Sequence, residues 1–392
     1  MIRYLTSGES HGKALTAIIE GLPAGISISI DYINHQLKRR QMGFGRGGRM
    51  RIESDSVEIL AGVRNGKTLG TPITIMIKNR DWDNWKEKMA AYEASTHYEK
   101  IRIPRPGHAD YVGDVKYQYG DIRNVIERAS ARETAARVAV CTFVRKFLED
   151  IGIFIGSYVR QIGSVSIGNN AALIKKIFEF TKASCGAYKL TEEADNSKIR
   201  MLDKIASKKA ISLIRKATKA GDTLGGIFEV IITGVPTGLG SYVHYDRRLD
   251  GQLAQAIVSI PAVKGFEIGS GFANAYKFGS KVQDEFTIID GRIIRTSNNA
   301  GGLEGGVTNG QMVILRGAMK PIATLAKPLK SVHLDKMQEV KARYERSDVC
   351  AVPAASVIAE AVVAPVIGNA ILEKVGGDYL DEINERIKNL KS

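Results

Sequence analysis

Two histidines stand on glycine turns in this sequence. His11 lies in Gly8-Glu9-Ser10-His11-Gly12 and His108 in Arg105-Pro106-Gly107-His108-Ala109-Asp110. Glycine lets backbone approach a ligand closely, and imidazole exchanges a proton near neutral pH. Pro104 and Pro106 stiffen the approach to His108. Arginines gather nearby: Arg39, Arg40, Arg46, Arg49 and Arg51 share thirteen residues with four glycines, and Arg105, Arg128, Arg132 and Arg346 recur beside the other motifs. The planar guanidinium fork suits phosphate and carboxylate. One carboxylate, Asp348 in Arg346-Ser347-Asp348, completes the set. Such a set suits a strongly anionic substrate whose phosphate leaves: arginines hold and neutralise charge while a histidine protonates what departs. General acid–base help of this kind contributes about 10²–10⁴-fold, so the remaining rate must come from positioning or a cofactor. His35, His97, His244 and His333 have no comparable context and no metal-ligand spacing. Ser10 and Ser130 lack a nucleophile-elbow glycine pattern, which argues against a hydrolase triad.

The elements that must position these residues alternate along the chain. Ile2–Leu5 reads as a strand, and 14–19 as a second strand or the start of a helix. Asp31 can cap a helix that carries Ile33 and Leu37 and ends near Arg40. Gly43, Gly45 and Gly48 fit G-x-G-x-x-G, but a helix precedes and a strand at 51–53 follows, the reverse of the dinucleotide fingerprint. The stretch reads instead as a flexible arginine loop able to close over an anion. Residues 57–63 and 72–77 read as strands, and 79–111 as a long functional loop. Asp121 opens a helix that runs with a break to about Ile151. Arg128 and Arg132 lie four apart, so both can project from one face, beside Ser130. Residues 169–222 read as a polar, lysine-rich helical excursion at the periphery. Further on come a strand over 223–234, an amphipathic helix over 249–259 holding Gln255 and Ala256, and a hairpin turning at Asp290-Gly291. The glycine-rich loop from Asn298 to Gly306 offers either backbone amides to a ligand or a plain hairpin turn. A strand at 312–315 leads to Lys320-Pro321-Ile322-Ala323-Thr324. An apolar helix over 355–372 and a polar one over 379–390 close the chain. Interleaved strands and helices imply a layered core of α and β within a single catalytic domain, 1–392.

Composition narrows the class. A hydrophobic share of 44% and a charged share of 25% over 392 residues are those of a soluble globular protein. No uninterrupted run of eighteen apolar residues marks a membrane span, and Arg3 and Glu9 break any signal-peptide core. Cys141, Cys185 and Cys350 are far apart and odd in number, which points to a reducing cytoplasm. The formal net charge of +14 has two explanations: nucleic acid, or a small polyanionic substrate with a phosphorylated cofactor.

Gly8 to Gly12 resembles the amino-terminal motif of chorismate synthases. The stretches 105–110, 127–134 and 346–348 resemble the same family, in its order and at about its spacing. The resemblance implies an α+β fold, a layered β-α-β sandwich rather than a Rossmann sheet, and a cytoplasmic homotetramer. It implies 1,4-anti elimination of phosphate from 5-enolpyruvylshikimate 3-phosphate to give chorismate, dependent on reduced FMN. It assigns His11 to the reduced flavin, His108 to the departing phosphate and Asp348 to proton transfer at flavin N5. Substrate contacts fall to Ser10, Arg40, Arg46, Arg49, Arg105, Arg132 and Arg346. FMN contacts fall to Arg128, Ala129, Ser130, Gln255, Ala256, Gly305, Lys320, Pro321, Ile322, Ala323, Thr324 and Arg346. Electrons for the flavin come from an external flavin reductase or from NADPH. Two departures stand out: Ala129 replaces a second serine common in the family, and Val349 a proline that often follows the aspartate. Neither is a proton-transfer group. A nucleic-acid-binding protein is the rival reading; it accounts for the charge but not for the two histidines, and no helix-turn-helix or RNP pattern is present. An NADPH-dependent flavin reductase is a third, for which the chain shows no nicotinamide fingerprint.

Overall fold

The computed structural model describes residues 1–47, 55–92, 98–167, 177, 179, 183, 185–345 and 347–391. Period-two alternation builds the first sheet from β1 (Arg3–Ser7), β2 (Ala14–Glu20), β3 (Val57–Ala61) and β4 (Ile73–Lys78), in the order β1-β2-β4-β3 and antiparallel throughout. Leu15, Ala17 and Ile19 on β2 and Ile73, Ile75 and Ile77 on β4 turn inward, while the cross-strand pair Leu5 and Ile18 faces solvent. That alternation resolves 14–19 as a strand. The second sheet comprises β5 (Phe154–Ile162), β6 (Val165–Ser166), β7 (Gly226–Thr233), β8 (Val263–Ile268) and β9 (Val313–Met319). Its order is β8-β9-β7-β5-β6, again antiparallel. Two antiparallel sheets exclude a doubly wound nucleotide fold.

In chain order the helices are α1 (Ile30–Gln41), α2 (Asp110–Tyr117), α3 (Arg123–Arg128), α4 (Thr134–Asp150), α5 (Gly186–Asp195), α6 (Lys204–Ala220), α7 (Leu249–Val258), α8 (Val352–Val375) and α9 (Leu380–Lys391). The helices α1, α4 and α8 lie between the two sheets, and α5 covers the outer face of the second sheet. α4 packs on β2 and β4, α8 on β5 and β7, and the two helices on each other and on α1. This is the β-α-β sandwich that the family resemblance implied. α8 is long and apolar enough to cross a membrane, yet most of it is buried in this core; a helix apolar all round belongs in such a place. Its buried charge, Glu360, is met by Arg39, Arg145 and Arg200.

Several expectations change in detail. Ser29, not Asp31, caps α1, its hydroxyl accepting from the Tyr32 amide. The described helices of the 169–222 segment are tied to the core: Leu190 and Ala194 on α5, and Ala206, Ala210 and Ile214 on α6, join it. Their helical spacing among polar residues gives each helix one apolar stripe. The helix break after Asp121 is sharp. α3 ends at Arg128, a single 3-10 turn covers Ala131–Glu133, and α4 starts at Thr134. The break separates two arginines that an unbroken helix would align. The hairpin Phe286–Ile289 with Arg292–Arg295 forms as expected, with Asp290 and Gly291 both at positive φ.

Candidate active site

A cavity of about 570 Å³ opens where the amino-terminal turn, the start of α2, the α3–α4 break, the strand β9 exit and the start of α8 converge. That volume is within the usual range for a small-molecule site. Ser10, His11, Arg40, Arg46, Arg105, His108, Ala129, Ser130, Arg132, Lys320, Ile322, Ala323, Thr324 and Asp348 all line it. Residues drawn from four motifs spread over the chain therefore meet in one place. Arg128, Gln255, Ala256, Gly305 and Pro321 do not line it. Arg49 and Arg346 lie outside the described residues.

His11 sits on a turn that needs Gly8. At φ +101° a side chain there would be strained, and a Cβ would come within 2.3 Å of the Ala14 carbonyl oxygen. Glu127 holds the histidine from α3. Its Oε2 accepts the His11 backbone N–H at 2.7 Å, and both its oxygens lie within 3.0 Å of His11 Nδ1. Burial alone would raise the Glu127 pKa, but the hydrogen bonds and charge of His11, with help from Arg123, hold it below the ordinary carboxylate range. Trp85 stacks on the imidazole with ring centroids 4.0 Å apart. Ser10 Oγ and Ser130 Oγ are 3.0 Å apart, and the Ser10 amide donates to the Glu127 carbonyl.

His108 is built the same way on another turn. Asp110 Oδ1 lies 2.5 Å from His108 Nδ1. Asp110 also receives Arg105 through Nε at 2.8 Å and Nη2 at 3.0 Å, and Arg105 Nη1 donates to Thr324 Oγ1 at 3.0 Å. Burial works against the Asp110 anion, yet His108 and Arg105 outweigh it and drive the pKa well below the usual range. Lys320 Nζ donates to the Gly107 carbonyl at 2.5 Å, tying the β9 exit to this turn.

Arg40 and Arg132 share the buried carboxylate of Asp55. Arg40 Nε donates to Thr134 Oγ1 at 2.9 Å and Nη2 to the Ala131 carbonyl at 2.8 Å. Its Nη1 is buried, stands 3.6 Å from Asp55 Oδ2 and makes no hydrogen bond among the described residues. Burial pushes this guanidinium down to about 10; Asp55 opposes that, while Arg46 and Arg132 add to it. An anion in the cavity would relieve the strain. Asp348 receives Arg46 Nη1 at 2.7 Å and the Gly47 amide at 2.7 Å. Among the described residues no cluster of three or more metal-ligating side chains occurs.

The geometry departs from the sequence reading at one pair of arginines. Arg128 points away from the cavity, to the carbonyls of Thr6 and Gly8, whereas Arg132 points in. Of the two readings left open for the 298–306 loop, its first half follows the turn: the amides of Asn299 and Ala300 are taken by Asp284, and that of Gly302 by Asn298 Oδ1. Glu127, Asp110, Asp55 and Asn79, whose Oδ1 accepts from Arg132 Nε at 3.0 Å, were not singled out from sequence, nor were Ala351, Ala354 and Ala355, which form one wall. The i, i+3, i+4 spacing of those alanines was a visible sign of a close-approach face.

A model of the chorismate synthase family matches residues 2–372. The chorismate synthase of Chlorobium luteolum is 53% identical, over 100% of this chain and 98% of that protein. That of Prosthecochloris aestuarii is 57% identical over 100% and 98%, and that of Chlorobaculum tepidum 56% over 99% and 97%. A crystal structure of chorismate synthase superimposes with a TM-score of 0.78 at 42% identity, covering 99% of this chain and 96% of the other.

Proposed function

The chain belongs to the chorismate synthase family, and from that premise we propose how its residues carry the reaction. It is a lyase that eliminates phosphate from 5-enolpyruvylshikimate 3-phosphate to give chorismate, the last step of the shikimate pathway. The observation that carries the mechanistic reading is the pair of carboxylate-held histidines on one arginine-lined cavity. The substrate bears two carboxylates and a phosphate. Arg40, Arg105 and Arg132, with Arg46 once it is drawn from Asp348, neutralise those groups; Arg49 and Arg346 act with them. An unpaired buried charge costs several kcal/mol, so a site for this substrate needs several fixed cations. His108 gives a proton to the leaving phosphate. Asp348 moves the proton lost from C6 of the substrate. Ser10 and Ser130, linked by their hydroxyls, orient the ring.

Reduced FMN is the cofactor, and when bound it supplies electron density to the substrate. The residues present fit it: the cavity is roomy, one wall is alanine, and Ala129, Ser130, Lys320, Ile322, Ala323 and Thr324 line it. Lys320 would offer a cation to its phosphate, and His11 stabilises the reduced form. Arg128, Gln255, Ala256, Gly305 and Pro321 lie outside this wall, so their contact with FMN is an additional assignment. The electrons come from an external flavin reductase or from NADPH. A cytoplasmic homotetramer completes the reading. The apolar side chains of Phe286, Ile288 and Ile293 on the protruding hairpin, 65%, 73% and 72% exposed, support self-association, and three free cysteines suit a reducing compartment.

The test is anaerobic. Protein, substrate and chemically reduced FMN are mixed, and chorismate and phosphate are followed, beside samples with oxidised FMN alone or with NADPH. Product only with pre-reduced FMN supports the cofactor assignment and an external reductase. Product with NADPH as well adds an intrinsic reductase activity. No product from folded protein would sink the reading and return nucleic acid as the partner to test.

A further inference from the structure

We propose that Glu127 is a positioning residue that fixes the tautomer of His11, a role that rests on the function proposed above. Three contacts converge on its carboxylate. Oε2 accepts the His11 backbone N–H at 2.7 Å, Oε1 lies 2.9 Å and Oε2 3.0 Å from His11 Nδ1, and Arg123 Nη1 donates to Oε1 at 3.2 Å. The residue is 1% exposed and its side chain is wholly buried. A carboxylate can only accept. Nδ1 must therefore carry the proton, and Nε2, which has no partner among the described residues, is the ring nitrogen left for the cavity. The ring plane is set separately: Trp85 stacks on one face of the imidazole, and Arg123 lies 5.1 Å from the Trp85 ring. Trp85 is anchored in turn by its Nε1 donating to Asp81 Oδ2 at 3.0 Å. Glu127 thus selects which nitrogen works, and Trp85 where it points.

The comparison with Asp110 shows why Glu127 is the cleaner case. Asp110 also faces a histidine Nδ1, but both its oxygens bind Arg105, so its removal dismantles a substrate clamp as well. Glu127 contacts none of the arginines on the cavity wall. Replacement by glutamine keeps its size but not its pattern. A carboxamide has one accepting oxygen. Whichever way it turns, its NH₂ meets a donor: Arg123 at the Oε1 position or the His11 amide at the Oε2 position. The accommodation open to the ring is to accept from that NH₂ at Nδ1 and carry its proton on Nε2.

Selective ¹⁵N-histidine labelling reads the tautomer directly at alkaline pH, where imidazole is neutral. Only six histidines contribute, and the pair of signals lost in His11→Asn belongs to His11. The expected wild-type result is a protonated Nδ1 and an unprotonated Nε2, reversed in Glu127→Gln. The expected kinetic result is a fall in kcat of about 10²–10⁴-fold, the range of a general acid–base group. KM for the substrate and Kd for oxidised FMN stay within about threefold of wild type, because the binding groups are untouched. Wild-type protein with His11 protonated on Nε2 would overturn the proposal, and this measurement needs no variant to fold. Folded Glu127→Gln with the wild-type tautomer, or with full kcat, would overturn it too. The spectrum requires no turnover, so failure of the assigned reaction in wild-type protein is read separately from failure of the tautomer.

Discussion

Arg39 and Arg40 are neighbours on α1, and each is 3% exposed, yet they belong to different regions. Arg39 turns into the interlayer core. It donates to Asp195 Oδ2 at 2.6 Å, Gln36 Oε1 at 2.6 Å, and Glu360 at 2.7 Å and 2.9 Å. Glu360 also receives Arg145 and Arg200, so three helical and loop segments are tied to α8 at one point. Arg40, about 100° further round the helix, turns to the cavity and keeps one buried nitrogen without a hydrogen bond among the described residues. Both are buried cations with carboxylates nearby. Between these two neighbours the difference is that one buried nitrogen, not burial and not charge.

The largest test of that contrast is Glu360→Gln. Removing one partner of a buried ion pair leaves uncompensated charge and costs about 3–5 kcal/mol; urea denaturation should show a loss of that size, whereas Asp55→Asn, beside the cavity, should lose less. Arg40→Met should behave in the opposite sense. It should fold with modest loss but forfeit a charge-assisted contact worth about 1.5–3 kcal/mol, a drop of about 10- to 100-fold in kcat/KM. Wild-type kcat/KM in this variant would place Arg40 with the structural arginines. Acid unfolding sharpens the comparison further. Asp110 and Glu360 are both held well below the ordinary carboxylate range when folded, burial being outweighed by His108 and Arg105 in one case and by Arg39, Arg145 and Arg200 in the other. Each therefore adds stability above its unfolded pKa of about 4, and that contribution disappears as pH falls through and below this value. Asp110→Asn should flatten the fall in stability below about pH 4 by roughly 1 kcal/mol or more. The smallest effect is expected from inorganic phosphate. At a concentration equal to its Kd it should stabilise wild-type protein through the cavity cations by about 0.4 kcal/mol, read as a rise in Tm, and stabilise Arg40→Met less.

Legibility from sequence followed the same divide. His11, His108 and Asp348 could be found because glycine turns and arginine neighbours advertise ligand access. The sheets could be placed because β2 and β4 alternate, and the hairpin because Asp290-Gly291 tolerates positive φ. The partners of the histidines were not legible as partners. Glu127 sat in plain view four residues after Arg123, but its carboxylate reaches His11, 116 residues away, through the docking of α3 on the amino-terminal turn. The break at Ala129 and Ser130 sends Arg128 outward and Arg132 inward, which an uninterrupted helix could not do. Arg39 and Arg40 look identical in sequence for a related reason: 3.6-residue periodicity predicts that they diverge, but not which of them meets Glu360.

The contact between the Gly47 amide and Asp348 joins residues 301 positions apart. On a ribosome adding about 5–20 residues per second, roughly 15–60 s pass between the appearance of one partner and the other. Through that interval the arginines of the amino-terminal third exist without the wall they will face. A chain divided anywhere between residues 47 and 348 yields two pieces, neither holding both histidine turns and the aspartate. The groups assigned to the chemistry thus come together only once Asp348 has been made, long after both histidine turns have left the ribosome.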